Sequence, residues 1–409
     1  MKNIFIIIVS TILGYCSSAQ NSLSYDPEFE EGYLFTIIHE VPVTSVKNQH
    51  QSGTCWCYSG LAFLEAELLR MGKGSYDLSE MYLVSLTYND RAMASIRTGG
   101  DVSFGQGGVF PDILYGMSHY GLVPEEFMRP GIMYGDTLAN HTELSTITNA
   151  MVSAIAKNNK LSQLLSSPQG SLLCSQAIAS VHDIYLGTLP KYFSYQNHEY
   201  TPMTFYQSTG IDASDYVCLT SFSHHPFFSQ FAIDVPDNWR RSLFYNIPIN
   251  DLINLIDSAL QDGYPVLWGG DVSEVGFRMG IHKGFCVLPA IQVDYAIGSN
   301  MGHWAGKNAR TIQKEAAKHP TPQRWVSQEE RQLAYDNRET GDDHSMLLCG
   351  IARDQMGNEY YKVKNSWGMV GPYQGFAFIS KAYMRYKTVF VAVHKDALSS
   401  HLRELLGIR

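Results

Sequence analysis

Four polar residues stand at spacings that suit acyl transfer. In NQHQSGTCWCYSG (residues 48–60), Gln49 precedes the Cys55–Trp56 pair by six residues, and a Gly-Thr turn leads into the cysteine. The run that follows has apolar side chains at 61, 64, 68 and 71 and stops at Gly72, which predicts a helix with Cys55 in its first turn. Unpaired backbone N–H groups and the positive end of the helix dipole favour a thiolate there. Gln49 is placed to offer its side-chain amide, beside the Cys55 N–H, to a developing oxyanion. Gln51 is the rival for that role, and the six-residue spacing selects Gln49.

A base and its orienting partner come far downstream. GDDHSMLLCGI places His344 at the head of an apolar, strand-like run, and after a turn at 354–358 a second run, YYKVKNSWG, ends in Asn365, Ser366, Trp367 and Gly368. The two runs predict paired strands with His344 and Asn365 at neighbouring ends, where an Asn amide oxygen can accept one ring N–H and fix the tautomer. Each residue also has a plain reading. A cysteine is commonly a small buried hydrophobe, most of the 14 histidines are expected to be structural, and Trp367 is equally a core residue. The common register of Gln49, Cys55 and Trp56, with NSWG at hairpin distance from His344, decides for chemistry.

This Gln, Cys-Trp, His, Asn-Ser-Trp-Gly order resembles the papain-type cysteine peptidases. The resemblance implies an α+β, two-lobe fold: a helical lobe carries the nucleophile helix, and an antiparallel, β-barrel-like lobe carries His344 and Asn365. It further implies that Trp367 covers the His–Asn contact and that Trp56 belongs to the substrate site. Gly107 and Gly108, which open the helix-like stretch closed by Gly121, would hydrogen-bond an extended peptide. Secreted papain relatives usually have a disulfide cysteine three residues before the nucleophile; this chain has Ser52 there. That difference, the 289 positions between Cys55 and His344, and the GGVFPD…YGLVP and FYNIPIN…DGYPVLWGGDV stretches are similar to the bleomycin hydrolase and bacterial aminopeptidase C branch. The branch implies an aminopeptidase acting on peptides and a homo-oligomer, a hexamer, with no metal and no cofactor. The short tail HKDALSSHLRELLGIR lacks the apolar, Pro-containing arm of that branch, so an endopeptidase with an open cleft is the alternative reading. A non-catalytic papain-fold scaffold and an acyl transferase using the same intermediate are the other two.

Composition bounds the remaining classes. The chain has 409 residues, enough for one large core or two; 17% are charged and 12% aromatic, which argues against disorder. A net charge of −9 argues against a nucleic-acid surface. Lys2, an apolar stretch over 4–13 and Ser17-Ser18-Ala19 read as a signal peptide (residues 1–19), so export to the periplasm or medium is expected. The alternative is a lipoprotein anchored through Cys16, for which Tyr15 is a bulky neighbour. No stretch is long and apolar enough to span a membrane. Residues 20–409 form one peptidase domain, with insertions at about 129–245 and 292–340. Within it, Asp77 with Glu80 reads as a capping box and Asn250 as the cap of a helix ending at Gly263. Helices are expected over 141–166, 171–186 and about 322–337, and the His224-His225 pair reads as structural.

Overall fold

The computed structural model describes residues 32–158, 168–279, 283–290 and 309–409; the expected leader with Cys16 lies outside these residues. Three helices form the first lobe: α1 (Cys55–Arg70), α2 (Glu80–Arg97) and α3 (Phe110–Tyr120). In α1, Leu61, Leu64 and Leu68 are fully buried, and each such side chain contributes roughly 1.5–3 kcal/mol of burial. Gly60 lets α3 approach, because a Cβ there would meet Ile113 Cδ1 at 2.1 Å. The first insertion adds α4 (Thr142–Ala156), α5 (Pro168–Leu186) and α6 (Pro202–Thr209), with α4 and α5 packed on α2.

The second lobe is built on a long sheet. Strand β10 (His344–Asp354) pairs antiparallel with β7 (Val266–Gly270) on one side and with β11 (Glu359–Lys364) on the other. The lead-in strand β1 (Phe35–Glu40) joins the far end of β10, and β13 (Thr388–His394) lies beyond β7. Pairing is antiparallel except at two edge contacts, where 376–380 runs parallel to 285–286 and 216–220 runs parallel to 243–246. Both faces of the sheet are covered. Leu347 and Leu267 join the core shared with α1–α3, while Met346, Leu348, Val266 and Trp268 point into the core beneath α7 (Ile249–Gln261). This is the period-2 alternation of a strand, and two covered faces explain why β10 reads as an unbroken apolar run. The final helix (Ser400–Leu406) buries Leu402 and Leu406 in that second core, with Ile408 packed against it.

Several boundaries differ from the sequence expectation. The cap of α2 is Ser79, whose hydroxyl accepts from the Tyr82 N–H; Asp77 instead pairs with Lys47 at 2.7 Å. Pro248, not Asn250, precedes α7, and Asn250 Oδ1 accepts from Arg385. The helix expected over 141–166 ends at Ala156, with 159–166 outside the described residues, and the next begins at Pro168. The polar helix expected from 322 starts at Gln328, capped by Ser327, because 321–326 runs extended beside 288–290.

Candidate active site

Cys55 is the first residue of α1 and sits where that helix meets β10. Thr54 lies ahead of it with no side-chain cap, so the first N–H groups of the helix are left for other partners. Burial pushes the Cys55 thiol up to about 12, and the carboxylate of Asp342 adds to this; backbone contacts to Ser345 and Trp56 act the other way. The sulfur therefore lies against the start of β10, one residue from His344. The His344 Nε2 and Asn365 Oδ1 are 2.8 Å apart, both residues buried. With Nε2–H donated to that oxygen, the other nitrogen, Nδ1, is the one left for the cysteine. Burial lowers His344 to about 4, and the Asn365 hydrogen bond opposes the shift.

At the helix start the Trp56 backbone contact favours the thiolate, while desolvation and Asp342 act against it. Burial opposes an isolated thiolate and an isolated imidazolium alike. The charged form enters as a pair, when the thiol proton moves to the ring.

Gln49 is held between the two lobes. Segment 47–49 runs against 366–368 through Gln49 N–H to Ser366 O (2.8 Å) and Gly368 N–H to Lys47 O (3.0 Å). Its side chain is 7% exposed: Ser366 Oγ donates to Oε1 at 2.6 Å, and Nε2 donates to Ser52 O at 2.8 Å. Two anchors leave one amide N–H, and the Cys55 backbone N–H heads the neighbouring helix. Together they can serve an oxyanion. Ser52, at the place of the missing disulfide cysteine, is tied to Gln49 O at 2.7 Å and to Thr54 Oγ1 at 2.6 Å. All six described cysteines are free.

Trp367 lies beside His344, ring centroids 4.9 Å apart, and is half-buried, as expected of a cover for the His–Asn contact. Trp56 departs from its expected substrate role. It is 2% exposed, donates Nε1–H to Gln106 O at 2.9 Å, and stands 3.0 Å from where a Gly108 Cβ would be. It supports the Gly107–Gly108 wall from behind. That wall has a component the sequence reading missed: Asp237, from the first insertion, sits so close that a Cβ on Gly107 would be 1.9 Å from its Oδ2. Arg91 joins the two, donating to Gly107 O at 2.6 Å and to Asp237 Oδ1 at 3.4 Å. Ser366 was also missed as a functional residue, although it stands inside the NSWG stretch. His224, His225 and Asp234 place one potential ligand atom each within 4.8 Å of one another. Ring contacts occupy this pair, with His225 stacked on Phe231 at 4.2 Å and Gln332 at 3.0 Å from His224 Nδ1, in keeping with a structural role.

Comparison with known proteins agrees with this geometry. Residues 37–103 match the papain family of cysteine proteases, and residues 101–318 and 325–407 match the peptidase C1-like family. Aminopeptidase G of Lactobacillus delbrueckii subsp. lactis is 23% identical over 90% of this chain and 85% of its own length. Aminopeptidase C of Listeria monocytogenes is 23% identical over 90% of this chain and 83% of its own. The crystal structure of PepW from Lactobacillus rhamnosis HN001 superposes with a TM-score of 0.68 at 19% identity, covering 91% of this chain and 84% of that one, which supports the papain-like fold. A cysteine at a helix start, a buried His–Asn pair at the ends of two strands, and family matches across nearly all described residues place this chain in the peptidase C1-like family of papain-type cysteine peptidases.

Proposed function

We propose that the protein is a cysteine aminopeptidase, which removes residues from the free N-terminus of peptides through a Cys55 thioester. The observation that carries the chemistry is the 2.8 Å contact between His344 Nε2 and Asn365 Oδ1, because it commits Nδ1 to the cysteine. As Cys55 attacks the scissile carbonyl, its proton passes to His344. The oxyanion is held by the free N–H of Gln49 Nε2 and the Cys55 backbone N–H. His344 then protonates the leaving amine, and the neutral ring activates the water that releases the acyl group. Asn365 keeps the ring in one tautomer while Trp367 shields their hydrogen bond.

Two features favour the exopeptidase form. The curated relatives that span this chain are named aminopeptidases. In addition, the Asp237 carboxylate lies against Gly107, the first of the two glycines expected to meet the substrate backbone. The sequence of the leader supports export of the mature enzyme. A matched pair of fluorogenic peptides, one with a free N-terminus and one acetylated, tests the reading with a Cys55→Ala variant alongside. The expected result is Cys55-dependent turnover of the free-amine peptide alone. Equal turnover of the acetylated peptide would make the protein an endopeptidase, and turnover independent of Cys55 would refute the assigned nucleophile.

A further inference from the structure

An enzyme that selects a free N-terminus must meet an ammonium group within a few ångströms of the scissile carbonyl, and an ammonium in a partly dry cleft needs an anion. The residues just before His344 supply one. Asp343 faces the β-lobe: its carboxylate is influenced by Asp271 and Lys387, and its backbone N–H donates to Gly270 O at 3.2 Å. Asp342, one residue earlier, is near enough to Cys55 and Asp237 for the charges to act on one another.

Asp342 has no evident structural task. Its Oδ2 is sealed from solvent without a hydrogen-bond partner, while the residue as a whole is only half-buried. Among the described residues no ion pair reaches it, whereas Asp343 has Lys387 in range. Burial, then Asp237 and Asp343, push its carboxyl well above the usual range, and no cation opposes the shift. Asp237 is itself held in place: Arg91 donates to Pro236 O at 3.4 Å, and Arg240 binds Asp112 at 2.8 Å and Asp90 at 2.6 Å, tying this loop to the helical lobe. The Asp342 carboxyl beside the nucleophile and the Asp237 carboxyl on the Gly107 wall share one cation, Arg91, which reaches Asp237 and not Asp342. A second cation would complete the cluster.

We propose that Asp342, assisted by Asp237 at Gly107, binds the α-ammonium of the peptide substrate. This deepens the aminopeptidase reading and rests on it. No covalent step is involved: the incoming ammonium supplies the missing counter-charge, and the Asp342 proton leaves to solvent. A peptide with a blocked terminus brings no such charge.

The test uses the mature protein, with Asp342→Asn and Asp237→Asn variants, on aminoacyl coumarylamides and their N-acetyl counterparts. Removing one member of a desolvated charge pair predicts a loss of about 30-fold or more in kcat/KM for the free-amine substrates with Asp342→Asn, a smaller loss with Asp237→Asn, and a collapsed preference for free over acetylated substrate. Because Asp342 makes no bond that holds the fold, Tm should not fall in its Asn variant. Undiminished preference for the free amine in Asp342→Asn overturns the proposal while the aminopeptidase reading stands. A wild type that cleaves both forms alike overturns the aminopeptidase reading, and this proposal with it.

Discussion

Replacing Ser366 with alanine tests whether the oxyanion glutamine is held from the other lobe. The hydroxyl donates to Gln49 Oε1 at 2.6 Å, and the only other side-chain anchor of the amide is the 2.8 Å bond from Nε2 to Ser52 O. Since Gln49 is 7% exposed, water cannot easily replace the lost donor. Losing one neutral hydrogen bond and leaving a buried acceptor unpaired is worth about 1–2 kcal/mol. Deleting an oxyanion donor outright removes about 10²–10³ in kcat. Ser366→Ala should therefore stay below outright deletion of the donor, losing about 5- to 30-fold in kcat with KM within about twofold, because the oxyanion exists only beyond the ground state. Steady-state kinetics on Ser366→Ala, Gln49→Ala and the double variant provide the assay. If Ser366 acts through Gln49, the double variant is no slower than Gln49→Ala alone. A double variant slowed by the product of the two single effects would refute the reasoning, as would a kcat for Ser366→Ala within twofold of wild type.

Three further outcomes follow from the same structure. Asn365→Ala frees the His344 ring and should lower kcat by about 10- to 100-fold with little change in folding, read by kinetics beside a melting curve. His141, His182 and His344 are each lowered by burial from 6.5 to about 4, so the unfolded chain binds their protons first. Their neutral forms contribute full stability above about pH 6.5, and each loses about 1.4 kcal/mol per pH unit on acidification below it until about pH 4. Denaturant titrations between pH 8 and 5 check this, and His182→Gln should flatten the slope by one histidine's share. Lys47 stands among Asp77 (2.7 Å), Glu80 (2.9 Å), Glu65 (3.8 Å) and Glu125 (3.9 Å). Lys47→Met leaves these carboxylates without their cation and should destabilise the protein by about 3–5 kcal/mol in denaturant unfolding at pH 7.

The parts of the site legible in the sequence were those fixed by local chemistry. A helix beginning at Cys55, a strand beginning at His344 and a second ending before Asn365 follow from periodicity, turns and the register of two adjacent strands, and all three occur. Contacts made across the fold left no such pattern. Asp237 reaches Gly107 from 130 positions downstream because Arg240 and Arg91 clamp its loop to the helical lobe, and no spacing rule announces that. Trp56 sits next to the nucleophile in the chain, yet the helix turns its ring into the core, so burial denies the substrate role that the resemblance implied. Asp77 and Asn250 illustrate a different error. Each is a good cap by residue type, but a tertiary partner, Lys47 or Arg385, competes for its side chain and a residue two positions away takes the helix start. The signal in Asp342 was the doubled aspartate before His344, which gains meaning only once the two carboxyls are seen to have different charged neighbours.

The central claim, that Cys55 is the acyl-accepting nucleophile served by His344, is tested most directly by intact-mass and peptide-mapping spectrometry of protein quenched during turnover of a slowly deacylating aminoacyl ester. The account predicts one acyl group per chain, carried by Cys55, and no adduct in His344→Ala under the same conditions. An acyl group on another cysteine, or Cys55 acylated equally well without His344, would contradict it.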